Sequence, residues 1–166
     1  MRFFWEEAIR SCVPGSFQKM SPCAIPSGRQ LKNGMPSVAE CGGFMYLHES
    51  MTDEEGENWP MAGVITGNCH NRGKLVRFGY VNVTEQTSHF LAGKPVRAHE
   101  FHYYDSDNNG ESCVAVKPVS GTSWTCIHED DRNWWGYPHL YYPSNPAFVE
   151  HFVQAARLYH RERNAK

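Results

Sequence analysis

The sequence lacks long apolar runs and an excess of either charge. A transmembrane helix needs about 20 consecutive apolar residues, and the start, MRFFWEEAIR, has acidic residues where a signal peptide has its apolar segment. We therefore expect a cytoplasmic protein that does not associate with membranes. The chain has 16 Lys and Arg residues against 18 Asp and Glu residues, and it has no polybasic cluster. Nucleic acid is not an expected partner.

Paired metal ligands and a repeating cysteine framework are also missing. The cysteines lie without regular spacing at positions 12, 23, 41, 69, 113 and 126, so we expect reduced thiols. No CxxC or HExxH string occurs, and the segment His99–His102 has the wrong spacing for zinc. We predict no metal site, and a metal-dependent hydrolase is the least favoured interpretation. Because no GxxxxGK[ST] loop is present, we expect no cofactor in this chain.

What the sequence does contain is the composition of one folded domain, with 166 residues of which 40% are hydrophobic and 20% charged. Residues 1–33 carry scattered Pro and Gly after a short predicted helix over Arg2–Arg10, and they resist further assignment. Residues 34–166 form the predicted domain.

The middle of this domain is predicted to be rich in strands. Apolar or alternating segments occur at MAGVI, LVRFGYVNV, KPVRAHEFHYY, SCVAVKP and TSWTCI, whereas the acidic MTDEEGENWP predicts a solvent-facing connection. Near the end, Asn145 is a predicted N-cap and Pro146 a first helical residue, before apolar residues at helical spacing up to about Arg163. Helices at both ends and strands between them favour a layered α/β domain.

Cys41 lies where a predicted strand, Pro36–Ala39, turns into a predicted helix, Phe44–Ser50. A nucleophile on such a tight turn needs small neighbours, as in G-x-S-x-G hydrolases, and Ala39-x-Cys41-x-Gly43 meets this need. The turn would place the thiol at a helix N-terminus, which favours the thiolate. On this local pattern alone, a small buried cysteine in a tight turn is the favoured alternative.

A longer series of motifs changes that interpretation. The string VAECGGFMYL is followed, in order, by MAGVI, FGYVNV, VRAHEFHYY and GYPHLYYPSNPAFVEHF. From Gly34 to Tyr159, the series resembles the C-terminal domain of the cobyrinic acid a,c-diamide synthases. More broadly, it resembles the cobyric acid synthase and diamide synthase type of class I glutamine amidotransferases. The resemblance implies an α/β fold of the three-layer, flavodoxin-like kind, and we expect an N-terminally truncated domain without its first strands.

The resemblance also implies roles for individual residues. Cys41 would attack the side-chain amide of glutamine to give a thioester and ammonia, with His139 as general base and acid. The N–H of Gly42 would contribute to the oxyanion hole. The HEFHY segment makes His102 and Tyr103 candidates for the glutamine pocket, although a strand with one polar face explains the histidine equally well.

Two departures from the usual class I pattern stand out. Most class I enzymes have a glutamate two residues after the catalytic histidine, but Tyr141 occupies that place. We therefore expect the third triad member to be missing, as it is in the cobalamin-type branch. The Pro-Gly-Gly loop that completes the oxyanion hole in the family is not found either, and Val13–Ser16 resembles that loop only weakly.

By resemblance, the ammonia would go to an ATP- and magnesium-dependent synthetase domain or subunit. That partner would amidate the a and c carboxylates of a corrin precursor, cobyrinic acid, in cobalamin biosynthesis. The alternative is a catalytically incomplete remnant or binding module that keeps the amidotransferase fold.

Overall fold

The computed structural model describes residues 28–165. The helix predicted over Arg2–Arg10 and the segment Val13–Ser16 lie outside these residues. A helical segment covers residues 28–32, and the later helices are α1 (Gly42–Tyr46) and α2 (Ala147–Asn164), with a 3-10 turn at Tyr142–Ser144. The strands are β1 (Ser37–Glu40), β2 (His48–Thr52), β3 (Asn58–Pro60), β4 (Ile65–Asn71), β5 (Arg77–Glu85), β6 (Val96–His102), β7 (Tyr104–Ser106), β8 (Cys113–Val116), β9 (Ser123–Cys126), β10 (His128–Glu129), β11 (Asn133–Gly136) and β12 (His139–Leu140).

The strands of residues 28–165 form three sheets, ordered β1-β11-β10, β12-β6-β5-β8-β9 and β3-β2-β4-β7. In the first sheet β1 runs parallel to β11 and Glu40 pairs with Gly136. In the second, the short strand β12 pairs antiparallel with β6, so that His139 lies opposite His99. The chain therefore leaves the first sheet after Gly136 and enters the second sheet at His139.

Two apolar clusters lie on either side of β11. One surrounds α1 and β2 and contains Cys41, Phe44 and Tyr137. The other contains Trp134 and Phe148, and its rings pack closely, since the Trp134 and Phe148 centroids are 5.2 Å apart. Adjacent residues of β11 point to opposite faces of the sheet, and Trp135 accordingly packs against the first cluster while Trp134 is buried in the second.

The mixture of sheets and helices confirms the predicted α/β class. The terminal helix is also confirmed, although it begins at Ala147 and its N-cap is Pro146. The prediction of Asn145 as N-cap is wrong, because its side-chain amide donates hydrogen bonds to the carbonyls of Leu91 and Lys94, at 3.0 and 2.9 Å. Neither α1 nor α2 has the length and apolar character needed to cross a bilayer.

The segment after the elbow differs from the predicted helix over Phe44–Ser50. The helix α1 ends at Tyr46, where the N–H of Leu47 donates to the carbonyl of Phe44 at 3.1 Å. His48 then begins β2, which pairs with β3 and β4. Tertiary pairing outweighs the local helical pattern, so the helix prediction is wrong beyond Tyr46.

The acidic segment MTDEEGENWP is more than a connection. It contains the end of β2 and all of β3, which pair at Met51 and Trp59. Asp53 holds the turn between them, because its carboxylate accepts hydrogen bonds from the N–H of Glu57 and from Trp59 Nε1, at 2.9 and 2.8 Å. Because an Asp side chain can accept hydrogen bonds from the donors of a turn, this acidic segment can form a hairpin.

The apolar segment MAGVI is buried at Met61, Ala62 and Ile65, but it forms no strand before Ile65, contrary to its prediction. The N–H groups of Ala62 and Gly63 donate to the carbonyls of Tyr46 and His48, at 3.0 and 2.8 Å. These hydrogen bonds attach the segment to the junction between α1 and β2. The two N–H groups therefore have acceptors even though the segment does not pair as a strand.

Replacement of Phe148 tests the second cluster. The side chain is 1% exposed, and we expect Phe148→Ala to lower the free energy of unfolding by about 3–5 kcal/mol, measured by urea denaturation. Leu158, in the same helix but 52% exposed, gives the matched control: Leu158→Ala should change stability by at most about 0.5 kcal/mol. Equal losses for the two variants would contradict this packing.

Candidate functional site

Cys41 occupies a strained backbone conformation between β1 and α1. Its φ and ψ are 47° and −107°, which L-residues adopt only when the surrounding structure enforces it, at a cost of about 1–3 kcal/mol. The elbow is fixed by two backbone bonds of 2.9 Å, from the N–H of Cys41 to the carbonyl of Gly136 and from the N–H of Met45 to the carbonyl of Cys41. The predicted strand and elbow are confirmed as backbone geometry.

Gly42 begins α1 directly after the strained residue. The N–H groups in the first turn of a helix have no carbonyl partner within that helix, so the N–H of Gly42 is chemically suited to receive an oxyanion formed at Cys41. Cys41 itself is 2% exposed. The thiol therefore lies in a closely packed environment and not on an open surface.

His139 is brought to the elbow through Glu40, the neighbour of Cys41 in sequence. The Nδ1 atom of His139 lies 3.8 Å from Oε2 of Glu40. The other carboxylate oxygen, Oε1, accepts hydrogen bonds from the N–H of Leu140 at 3.2 Å and from the hydroxyl of Tyr142 at 2.7 Å. His139 thus lies close to Glu40, the sequence neighbour of Cys41.

His102 and Tyr103 lie in different surroundings. The ring of His102 is 5% exposed and stacks on Tyr137 with centroids 3.8 Å apart, and its Nδ1 atom contacts the carbonyl of Tyr104 at 2.6 Å. Tyr103 is 45% exposed and lines a shallow surface cavity with Arg72. The His102 ring therefore supports the segment that leads to His139, and a role of these two residues in glutamine binding stays a prediction.

Tyr137 connects the stacked His102 to the elbow. Burial raises the pKa of the Tyr137 hydroxyl well above its usual value, and the nearby Cys69 and Cys41 add to that effect. The hydroxyl donates to Cys69 Sγ at 3.9 Å. Tyr137 is therefore a neutral, buried side chain beside the candidate nucleophile.

The other described cysteines are suited to structural roles. Burial raises the pKa of the Cys69 and Cys126 thiols to about 12, and it also raises that of Cys113, with a contribution from Glu129. Thiols with such pKa values are almost entirely protonated at neutral pH and are poor nucleophiles. Among residues 28–165, no three His, Cys, Asp or Glu side chains are grouped so as to hold a metal ion.

The sequence alone does not reveal that the Glu40 carboxylate lies near His139. The usual search for a third triad member looks two residues beyond the histidine, where Tyr141 stands. The available signal was an acidic residue immediately before a candidate nucleophile, in a strand of otherwise small and apolar residues. That signal becomes interpretable only once the pairing of β1 with β11 is known.

The backbone strain at Cys41 predicts an unusual order of stability. Within a helix or strand, a protein with glycine at a given position is ordinarily less stable than one with alanine there, by about 0.5–1 kcal/mol. At the φ of Cys41 this order should reverse, with Cys41→Gly more stable than Cys41→Ala by about 1 kcal/mol or more in urea denaturation. The control is Ala39→Gly in the extended strand β1, which should destabilise the protein. A Cys41→Ala variant more stable than Cys41→Gly would show that no strain is stored there.

Comparison with known proteins identifies the family of this domain. Residues 28–147 match the CobB/CobQ-like glutamine amidotransferase domain. A curated relative, the cobyrinate a,c-diamide synthase of Salmonella typhimurium, is 33% identical over 132 residues, which are 76% of this chain and 29% of that protein. The enzyme of the same name from Caldanaerobacter subterraneus is 36% identical over 106 residues, or 60% of this chain and 24% of that protein.

The chain thus spans less than a third of the length of these curated relatives. A solved structure described as "Crystal structure of glutamine amidotransferase" has a TM-score of 0.52 and 14% sequence identity, covering 78% of this chain and 66% of that one. At this identity the likeness concerns the fold alone, and it agrees with the predicted class I amidotransferase architecture. By sequence and by fold, the chain belongs to the CobB/CobQ-like glutamine amidotransferase domain family.

Proposed function

We propose that this chain hydrolyses glutamine and supplies the ammonia for an amidating ligase. The observation that carries the proposal is the strained elbow at Cys41, next to a residue whose carboxylate lies 3.8 Å from His139. This supports the proposal because nucleophiles are often presented on strained strand-to-helix turns, and an activated nucleophile needs a base in the same region.

The proposed reaction has two halves. His139 takes the proton of the Cys41 thiol, the thiolate attacks the amide carbon of glutamine, and the N–H of Gly42 stabilises the oxyanion. The protonated His139 then gives its proton to the departing nitrogen, which leaves as ammonia, and a thioester stays on Cys41. In the second half His139 removes a proton from water, and the resulting hydroxide attacks the thioester carbon. The carbon–sulfur bond then breaks, the protonated His139 returns its proton to the Cys41 thiolate, and glutamate is released.

His102 and Tyr103 complete the proposed assignment as part of the glutamine-binding region. The ring of His102 stacks on Tyr137, which is two residues before His139 and close to Cys41. We assign His102 an indirect effect on the position of the bound amide, through Tyr137. Tyr103 follows His102 at the end of β6 and is exposed enough for direct contact with a ligand.

The proposed acceptor is cobyrinic acid, amidated at its a and c carboxylates during cobalamin biosynthesis. The support is the name shared by the relatives, cobyrinate a,c-diamide synthase. Because the match covers only 29% of the Salmonella typhimurium protein, we assign ATP and magnesium binding to a separate synthetase domain or subunit. Ammonia from Cys41 would react there with an activated carboxylate.

A second candidate function is a binding module that keeps the fold without turnover. It is favoured by the burial of Cys41, which is 2% exposed, and by the absence of a Pro-Gly-Gly loop from the sequence. Loss of one oxyanion-hole donor costs about 3–4 kcal/mol of transition-state stabilisation in a comparable enzyme. The two candidates therefore differ in rate and not in fold.

A glutaminase assay tests the first candidate. We expect the chain to release glutamate from glutamine, alone or with a cobyrinate-amidating synthetase domain, and Cys41→Ala and His139→Ala to lower kcat by about 10⁴-fold or more. Cys126→Ala and His160→Ala are the matched controls, because these residues lie outside the proposed machinery. A folded wild-type chain that releases no glutamate under either condition would refute the proposed function.

Covalent labelling distinguishes the two candidates independently of turnover. A diazoketone analogue of glutamine should modify Cys41 faster than any other cysteine, since the pKa of Cys69 and Cys126 is about 12. Peptide mass spectrometry measures the site, and excess glutamine should slow the reaction at Cys41. Equal, glutamine-insensitive labelling of all cysteines would instead support a binding module.

A further inference from the structure

The histidine of a cysteine–histidine pair needs a partner on the nitrogen that faces away from the thiol. That partner fixes the ring orientation and selects the tautomer that can accept the thiol proton. In this chain Tyr141 stands where class I enzymes commonly place a glutamate. Its ring is 56% exposed and lies under the guanidinium of Arg97, with 5.5 Å between the Arg97 carbon and the ring centroid. Tyr141 therefore does not take over the task.

Glu40 places a carboxylate near one ring nitrogen of His139. Its Oε1 atom accepts hydrogen bonds from Leu140 N–H and the Tyr142 hydroxyl. These two donors fix the plane of the carboxylate, and Oε2 faces His139 Nδ1 at 3.8 Å. The separation is longer than a hydrogen bond, and catalytic hydrogen bonds are commonly long before a substrate binds.

The two groups that donate hydrogen bonds to the Glu40 carboxylate come from the same chain segment as His139, the proposed base. Leu140 follows His139 directly, and Tyr142 begins the 3-10 turn after it. Burial raises the pKa of Tyr142, with a further contribution from Glu40, so its hydroxyl stays protonated as a donor. The Glu40 side chain is 19% exposed, which limits screening by solvent.

We infer that Glu40 is a positioning residue that holds His139 in the tautomer protonated at Nδ1, leaving Nε2 to exchange protons with Cys41. The carboxylate thus comes from the residue before the nucleophile and not from two residues after the base. The pairing is a property of the folded chain, and only its consequence for turnover rests on the proposed function.

The substitution Glu40→Gln makes a specific prediction because the two carboxylate oxygens have different partners. Leu140 N–H and the Tyr142 hydroxyl both donate, so the amide oxygen of glutamine should take the Oε1 place. The amide NH₂ would then face His139 and donate to Nδ1. This bond requires the opposite tautomer, protonated at Nε2, which cannot accept the thiol proton.

Nitrogen NMR of ¹⁵N-histidine-labelled protein measures the tautomer directly. The His139 signals, assigned by their loss in His139→Asn, should show a protonated Nδ1 in the wild type and in the control Glu57→Gln, an exposed Glu remote from the described contacts of Glu40. In Glu40→Gln the proton should move to Nε2. An unchanged tautomer in a folded Glu40→Gln variant would overturn the inference. So would a wild-type His139 protonated at Nε2.

Kinetics provide the second readout. Glu40→Gln should lower kcat for glutamine hydrolysis by about 10²-fold or more with little change in KM, and Glu40→Asp, which keeps the charge and its acceptor oxygens, should recover part of the loss. If Glu40→Gln does not fold, Glu40→Asp still tests the tautomer, which should match that of the wild type. A wild type without glutaminase activity but with the predicted tautomers would reject the proposed function and leave the inference standing.

Discussion

The parallel pairing of β1 with β11 is the constraint on which the site depends. It places Glu40 opposite Gly136 and lets the N–H of Cys41 bond to the Gly136 carbonyl at 2.9 Å. His139 follows Gly136 after a short connection, so the strand register that fixes Cys41, the proposed nucleophile, also determines the position of His139, the proposed base. The pairing is anchored in turn by β11, whose Trp134 is fully buried in the second apolar cluster.

Strain and packing are balanced within the same turn. The conformation of Cys41 is unfavourable, yet the turn is followed by Phe44, which is fully buried and packs edge-to-face on Tyr137 with centroids 5.0 Å apart. Burial of a large aromatic side chain contributes about as much free energy as the strained residue costs. The packing around α1 therefore stabilises the strained backbone of Cys41. The same packing leaves the Cys41 side chain with little exposure to solvent.

Much of the fold, and the backbone elbow of the candidate site, could be predicted from the sequence, and the failures share a physical cause. Small neighbours revealed the elbow at Cys41, and apolar periodicity revealed α2, because both signals are local. The strand that begins at His48 and the actual partners of Asn145 depend on contacts with distant segments. Glu40 was missed for the same reason, since its contact with His139 exists only after two sheets are assembled.

The proposed function requires Cys41 to form a covalent bond with the acyl group of glutamine. Its most direct test is rapid acid quenching of the chain with isotopically labelled glutamine, followed by peptide mapping. We expect a labelled glutamyl adduct that is confined to the peptide containing Cys41 and is removed by hydroxylamine, as is typical of a thioester. Glutamate release without any adduct at Cys41, or an adduct at another cysteine, would contradict it.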